Sequence, residues 1–303
     1  MNKFFSLPGY FEHYNDIRHL IEYRAKHPEY FYSDRIIDSA YGFPGGYLWN
    51  GGRVNTNMTS NIYMLDEMMI YYHGLDSFHI KHTCTNMLIT EELTHDWLCN
   101  RFLSHYQSDQ DFVIINNTIL KQYIETTFPK YKISYSTTLG YDDINIINEK
   151  SQNNILVLNY NYNNDNLFLA QLEHPQNIEI LCAEPCIPHC PNRQLHYETL
   201  SRTQLHMSPR DQDITACPYG GDRKIFVEIQ QSTCEISNQR IEDLSTYGFK
   251  YFKLSGRNLG THAWFEIILY YLVLPEYRDF VRQDFFRIPV SFTFDTVNNT
   301  VDK

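Results

Sequence analysis

Eight short runs rich in Ile, Val, Phe and Tyr punctuate the chain, and helical patterns separate them. The runs are 2–6 "NKFFS", 35–41 "RIIDSAY", 77–85 "SFHIKHTCT", 112–117 "FVIINN", 132–138 "KISYSTT", 155–160 "ILVLNY", 178–184 "IEILCAE" and 250–255 "KYFKLS". Most end in small or polar residues, the composition expected where a strand leaves a sheet. Between them, "FEHYNDIRHLIEYRAKH" places Ile17, Leu20, Ile21 and Tyr23 on or near one face. "NIYMLDEMMIYYHG" repeats apolar residues at helical spacing and stops at Gly74, a helix-ending glycine. "TEELTHDWLCNRFLSHY" is read as one helix capped by Thr90, and "ISNQRIEDLSTYG" as one capped by Ser237 and ended by Gly248.

Eight strand–helix repeats in 303 residues predict a single-domain α/β fold, a (β/α)8 barrel spanning 1–303. The rival is an open doubly wound sheet. Polar residues at the C-terminal ends of the strands favour the barrel, because those ends meet around one mouth where barrel enzymes place their sites. They include Thr83 to Asn86, Asn116–Asn117, Ser136 to Thr138, Glu184 to Cys190 and Ser255 to Arg257. Two places break the spacing. One is the Gly-rich loop "GFPGGYLWNGGRVNTN", and the other an inserted segment at 205–236 with weak β character at 224–229. Long loops in compact domains are usually functional or disordered.

The net charge of −11 disfavours a broad phosphate-binding surface, so nucleic acid is not an expected partner, although a local basic pocket remains compatible. The stretch "AWFEIILYYLVLP" contains Glu266 and is too short to span a bilayer, so no membrane partner is expected. The first residues lack a signal-peptide core, and the expected location is cytoplasmic. Seven cysteines, an odd number, then make a poor disulfide framework in a reducing compartment.

Three of those cysteines fall four residues apart in "ILCAEPCIPHCPNRQLHY", at Cys182, Cys186 and Cys190. Pro191 suits the first position of a helix, with Cys190 as its cap. A thiolate there faces free backbone N–H groups, which favour the form that binds metal. Cys217 and Cys234, both in the inserted segment, supply the remaining places of a four-thiolate centre, zinc or [4Fe–4S], on Cys186, Cys190, Cys217 and Cys234. Cys182 competes for the fourth place, since alternation puts it on the same side as Glu184. Cys84 and Cys99 read as small core hydrophobes.

Lys253 lies within a barrel strand, where an ammonium is costly unless it meets an anion or a carboxylate. The turn Ser255–Gly256–Arg257 presents N–H groups and a guanidinium to an anion, or a salt bridge with Glu184 holds the mouth together. Arg193 and His196 share a helix face and point at the site or at solvent. Arg53 follows a glycine pair that permits close backbone approach to a ligand. Of Lys81 and His82, one must face the barrel interior. The sequence contains no HExxH, phosphate-loop or GxSxG pattern.

"EILCAEPCIPHCPNRQLHYE" resembles the strand-seven motif of the U-32 peptidase-like (collagenase-like) family, through Glu184, Cys186, Cys190–Pro191, Arg193 and His196–Tyr197. "YGFKYFKLSGR" resembles the family's second signature at Phe252, Lys253, Leu254, Gly256 and Arg257. The resemblance implies a (β/α)8-type barrel and a [4Fe–4S] cluster on four cysteines. It also implies oxygen-independent hydroxylation, or another redox modification, of a small or peptide-borne substrate with an electron donor or partner subunit. Glu184, Arg193, His196, Lys253 and Arg257 would then form the pocket. The cysteine spacing differs from that of the family, and the family's second domain is lacking. A hydrolase, with zinc or no metal, and a non-catalytic zinc-stabilised binding module are the alternatives.

Overall fold

The computed structural model describes residues 1–51, 62–184, 186–205, 234–257 and 260–286. Cys217, Arg53 and the segment 224–229 lie outside the described residues.

The eight strands are β1 (Lys3–Pro8), β2 (Arg35–Gly42), β3 (His79–Cys84), β4 (Phe112–Ile115), β5 (Lys132–Tyr135), β6 (Ile155–Val157), β7 (Ile178–Cys182) and β8 (Tyr251–Leu254). Each falls within or overlaps a run read from the sequence. All neighbours are parallel, and the sheet closes when β8 pairs with β1, Phe4 opposite Tyr251 and Ser6 opposite Lys253. The fold is a (β/α)8 barrel, as the alternation predicts.

Helices follow the strands: α1 (Tyr14–Lys26), α2 (Ile62–His73), α3 (Trp97–His105), α4 (Thr118–Thr127), α5 (Ile144–Ser151), α6 (Asn166–Leu169), α7 (Arg193–Gln204) and α8 (Asn238–Thr246). After β8 come α9 (Thr261–Leu272) and α10 (Arg278–Phe286). The strands are covered on the outside by helices, which is why they read as near-continuous apolar runs. Phe5 and Phe252 stack on that outer side at 5.4 Å between ring centroids, in one core with Ile17, Leu20, Trp264 and Ile268. Burying each such side chain contributes roughly 1.5–3 kcal/mol. Among the described residues no helix is long and apolar enough to cross a membrane.

Local chemistry sets the helix starts, and two differ from expectation. Thr90 precedes only a short 3-10 turn, Glu92–His95. The backbone then breaks at Asp96, whose carboxylate accepts from the Cys99 N–H at 2.8 Å and caps α3. The competing aspartate sits six residues on, where its short side chain reaches the free N–H groups. Ser237 does cap α8, accepting from the Arg240 N–H at 3.0 Å. The helix after β7 begins at Arg193 with Asn192 at the cap position, not Cys190. Cys190 is thereby outside the helix, and its carbonyl accepts from the Arg193 N–H in the preceding turn.

Candidate functional site

Strands β3 and β7 stand four places apart in a ring of eight, on opposite walls. Lys81 of β3 and Glu179 of β7 nevertheless meet at 2.5 Å, so both side chains reach into the barrel interior. Glu179 is fully buried and Lys81 nearly so. The interior is therefore partly ionic, where barrels of this type ordinarily fill it with branched apolar residues. The expectation that one of Lys81 and His82 faces inward is met by Lys81. His82 lies outside the barrel wall among Tyr10, Phe43, Phe102 and Tyr131, with its Nδ1 3.1 Å from the Tyr10 hydroxyl.

Lys253 joins the same group from β8. Its Nζ is 4.0 Å from the second oxygen of Glu179 and 4.0 Å from the centroid of the Tyr41 ring. At that distance the pair is an ion contact and not a hydrogen bond. Among the described residues the carboxylate contact of Lys253 is this 4.0 Å ion pair, and Glu179 Oε2 has no hydrogen-bond partner. The register flanks Lys253 with Ser6 on β1 and Leu181 on β7. The Ser6 hydroxyl, fully buried, has no partner among the described residues either.

These groups shift one another. Burial pushes the Lys253 ammonium down to about 8, and the charges of Lys81 and Arg257 add to this against the pull of Glu179. Burial also works against the Lys81 ammonium, but Glu179 and Asp38 outweigh it and hold Lys81 above its usual value. For Glu179 burial opposes ionisation, and the attraction of Lys81 and Lys253 holds the carboxyl below the usual range. Asp38, hydrogen-bonded by Ser39 at 2.8 Å, is pushed by burial up to about 6. Two lysines of one interior thus differ: Lys81 is locked as a cation, and Lys253 is poised to lose its proton.

Arg257 closes the mouth above. Gly256, at φ 140°, turns the chain after β8. The guanidinium then bonds Glu12 at 2.9 Å, Asn50 at 2.9 Å, Thr83 at 2.8 Å and the Phe43 carbonyl at 3.0 Å. Its partners come from the loops after β1 and β2 and from β3, so Arg257 staples three βα connections. Its carboxylate is Glu12, not the Glu184 of the sequence reading. Of the glycine pair in "LWNGGR", only Gly51 lies among the described residues. A Cβ on Gly51 would lie 2.3 Å from the Thr85 backbone, so this glycine lets one loop cross another.

The loop after β7, the strand paired with β8, forms the adjoining rim. Ala183 takes a left-handed φ of 55°, and His189 one of 49°. Each costs about 1 kcal/mol or more for a residue with a Cβ, and such strain concentrates at functional segments. The turn at Ala183 breaks the strand alternation. Cys182 stays fully buried on the helix side with Ile180 and Phe252, and burial pushes its thiol well up. Cys182 is thus no companion of Glu184. Glu184 instead accepts from the Cys186 N–H at 3.2 Å and pairs with Arg193 at 3.4 Å. Arg193 lies over Tyr160 at 3.9 Å and Tyr197 at 4.6 Å. Its Nη2 has no partner among the described residues. His196 stacks on Tyr197 at 6.0 Å.

Cys234 is buried with Val157, Tyr160 and Leu181, and Cys186 packs against that cluster. The structure sets Cys186 against the cluster that contains Cys234 and places Cys190 half-buried in the adjoining turn, while Cys217 lies outside the described residues. Among the described residues no group of three His, Cys, Asp or Glu side chains could hold a metal. A four-thiolate centre therefore depends on Cys217. Cys84 and Cys99 are buried core residues, as read.

Sequence reasoning named Glu184, Arg193, His196, Lys253 and Arg257 but passed over Glu179, Asp38 and Glu12. The signal for the first two was present, since each is a lone carboxylate inside a run destined for burial, "NIEILC" and "RIIDSAY". No family model matches the chain, and the comparisons with curated proteins and with solved structures return no match.

Proposed function

We propose that the protein is a barrel enzyme working at the C-terminal mouth on a small molecule that carries an anionic oxygen group. The observation that supports this is Lys253. A largely buried ammonium held only by a 4.0 Å ion contact is costly, and stability alone gives no reason to keep it. A ligand oxygen beside it would satisfy its donors. On the adjoining rim Arg193 Nη2 offers a second unused donor, beside the strained loop after β7. Aromatic walls from Tyr41 and Tyr160 give such a site shape and lower its polarity. Titration with small carboxylates and inorganic phosphate, followed by calorimetry on the parent and on Lys253→Met, tests the reading. Binding that is lost in the variant supports it. Anions that bind both proteins equally, or neither, overturn it.

A second reading is favoured by the packing of Cys186 against the small cluster that contains Cys234. We infer that these thiols, with Cys190 and Cys217, hold an iron–sulfur cluster or zinc, as the resemblance to the U-32 family implies. A cluster would supply electron transfer or Lewis acidity for a redox or oxygen-transfer reaction. The chain's own part would be to supply thiolates from a Pro-rich loop and to fix Glu184 and Arg193 beside them. Anaerobic purification with iron, sulfide and zinc analysis decides it. A metal-free protein, with Cys186→Ala as stable as the parent, removes this reading and leaves the first intact.

A further inference from the structure

We propose that Lys253 is a covalent nucleophile, its amine adding to an aldehyde or ketone carbon of the substrate to form an imine. This rests on the reading of the mouth as the substrate site and deepens it. The position meets the geometric needs of that chemistry. The amine stands on the inner wall of β8 near its C-terminal end, with 8% of the side chain exposed, so it is reachable from the mouth. The Tyr41 ring lies 4.0 Å away and gives the amine an apolar wall. A carboxylate oxygen that bonds to nothing else, Glu179 Oε2, lies 4.0 Å away. The buried hydroxyl of Ser6 sits at the neighbouring register position on β1, also without a partner among the described residues. Lys81 is excluded from the role, because Glu179 binds it at 2.5 Å and keeps it charged.

The balance closes without any further reagent. The nitrogen lone pair attacks the carbonyl carbon, a C–N bond forms, and the C=O pair moves onto oxygen, which takes a proton. The nitrogen gives up two protons in all, the oxygen leaves as water, and a C=N bond remains. Glu179 is the group placed to take the proton from nitrogen and return one to the departing hydroxyl. Ser6 is placed to hydrogen-bond the carbinolamine oxygen. The lowered basicity of Lys253, about 8, supports the same conclusion. At neutral pH it gives this amine a neutral fraction roughly 300-fold above that of an ordinary lysine.

The test uses the intact chain with pyruvate, glyoxylate or acetaldehyde and sodium cyanoborohydride near neutral pH, read by peptide mass spectrometry. The expected result is a reduced adduct at Lys253 that forms at least about tenfold faster than any at exposed lysines. It is absent from Lys253→Arg and slowed in Glu179→Gln, with circular dichroism reporting that each variant is folded. Lactate, which has no carbonyl to trap, serves as the parallel binding probe. If all three carbonyl probes label only exposed lysines while lactate binding still requires Lys253, imine chemistry is overturned and the anion-site reading stands. If lactate binding is also indifferent to Lys253, both fall.

Discussion

Lys81 and Glu179 meet at 2.5 Å across the barrel, from strands that share no backbone hydrogen bond. The contact is a cross-brace between walls, and it sets the charge state of everything near it. Glu179 also faces Lys253, so one carboxylate serves two ammonium groups. Removing that charge leaves two buried cations. Glu179→Gln is therefore expected to destabilise the fold by about 3–5 kcal/mol in urea unfolding. The double variant Glu179→Leu with Lys81→Met should recover part of the loss, because an apolar pair of similar volume replaces the ions. Equal stability of Glu179→Gln and the parent would mean that the brace contributes nothing.

Lys253 is expected to behave in the opposite sense. Its folded-state value is depressed from 10.5 to about 8. For a depressed group, stability is full above the unfolded value and is lost as pH falls through the folded one. The parent is thus penalised at neutral pH and released in alkali. Lys253→Met should be more stable than the parent near pH 7, by up to roughly 3 kcal/mol. The gap should close as the pH approaches about 10.5. Denaturant titrations across that window check both the sign and the convergence. A destabilised Lys253→Met at every pH would show that the ammonium is well paired.

Arg257 spends its donors on Glu12, Asn50, Thr83 and the Phe43 carbonyl. A lysine there keeps the charge but loses the planar fork that reaches several directions at once. Arg257→Lys is expected to cost about 2–4 kcal/mol in thermal or urea unfolding, through polar partners left unpaired. Limited proteolysis should cut the loops after β1 and β2 faster in the variant, since Arg257 ties them to β8. An unchanged cleavage pattern would assign the staple to other contacts.

The barrel was legible because its strands are buried on both sides and flanked by amphipathic helices, so composition alone marks them. The run "KYFKLS" even carried Lys253 as an anomaly to be explained. Pairing across the interior was not legible. Glu179 and Lys81 are 98 residues apart, and their meeting depends on ring closure, which no local pattern encodes. The cysteine loop misled for a local reason. Alternation placed Cys182 beside Glu184, but Ala183 adopts φ 55° and reverses the sense of the chain. Nothing in an alanine announces a left-handed turn. Glycine or asparagine would have.

That same Ala183 gives the last expectation. A residue with a Cβ in the left-handed region costs about 1 kcal/mol or more, and glycine removes the clash. Ala183→Gly should therefore be neutral or more stable by up to about 1 kcal/mol, the gain being offset by the added freedom of the unfolded chain. The strain would have a purpose if it aims Glu184 and, through it, Arg193. Glu184 accepts from Cys186 and pairs with Arg193, so a slackened turn would let both drift. The variant should then hold an anionic ligand less tightly although its unfolding temperature is equal or higher. Stability and affinity moving in opposite directions would mark Ala183 as a positioning residue. A parallel fall in both would mean that the turn is only structural.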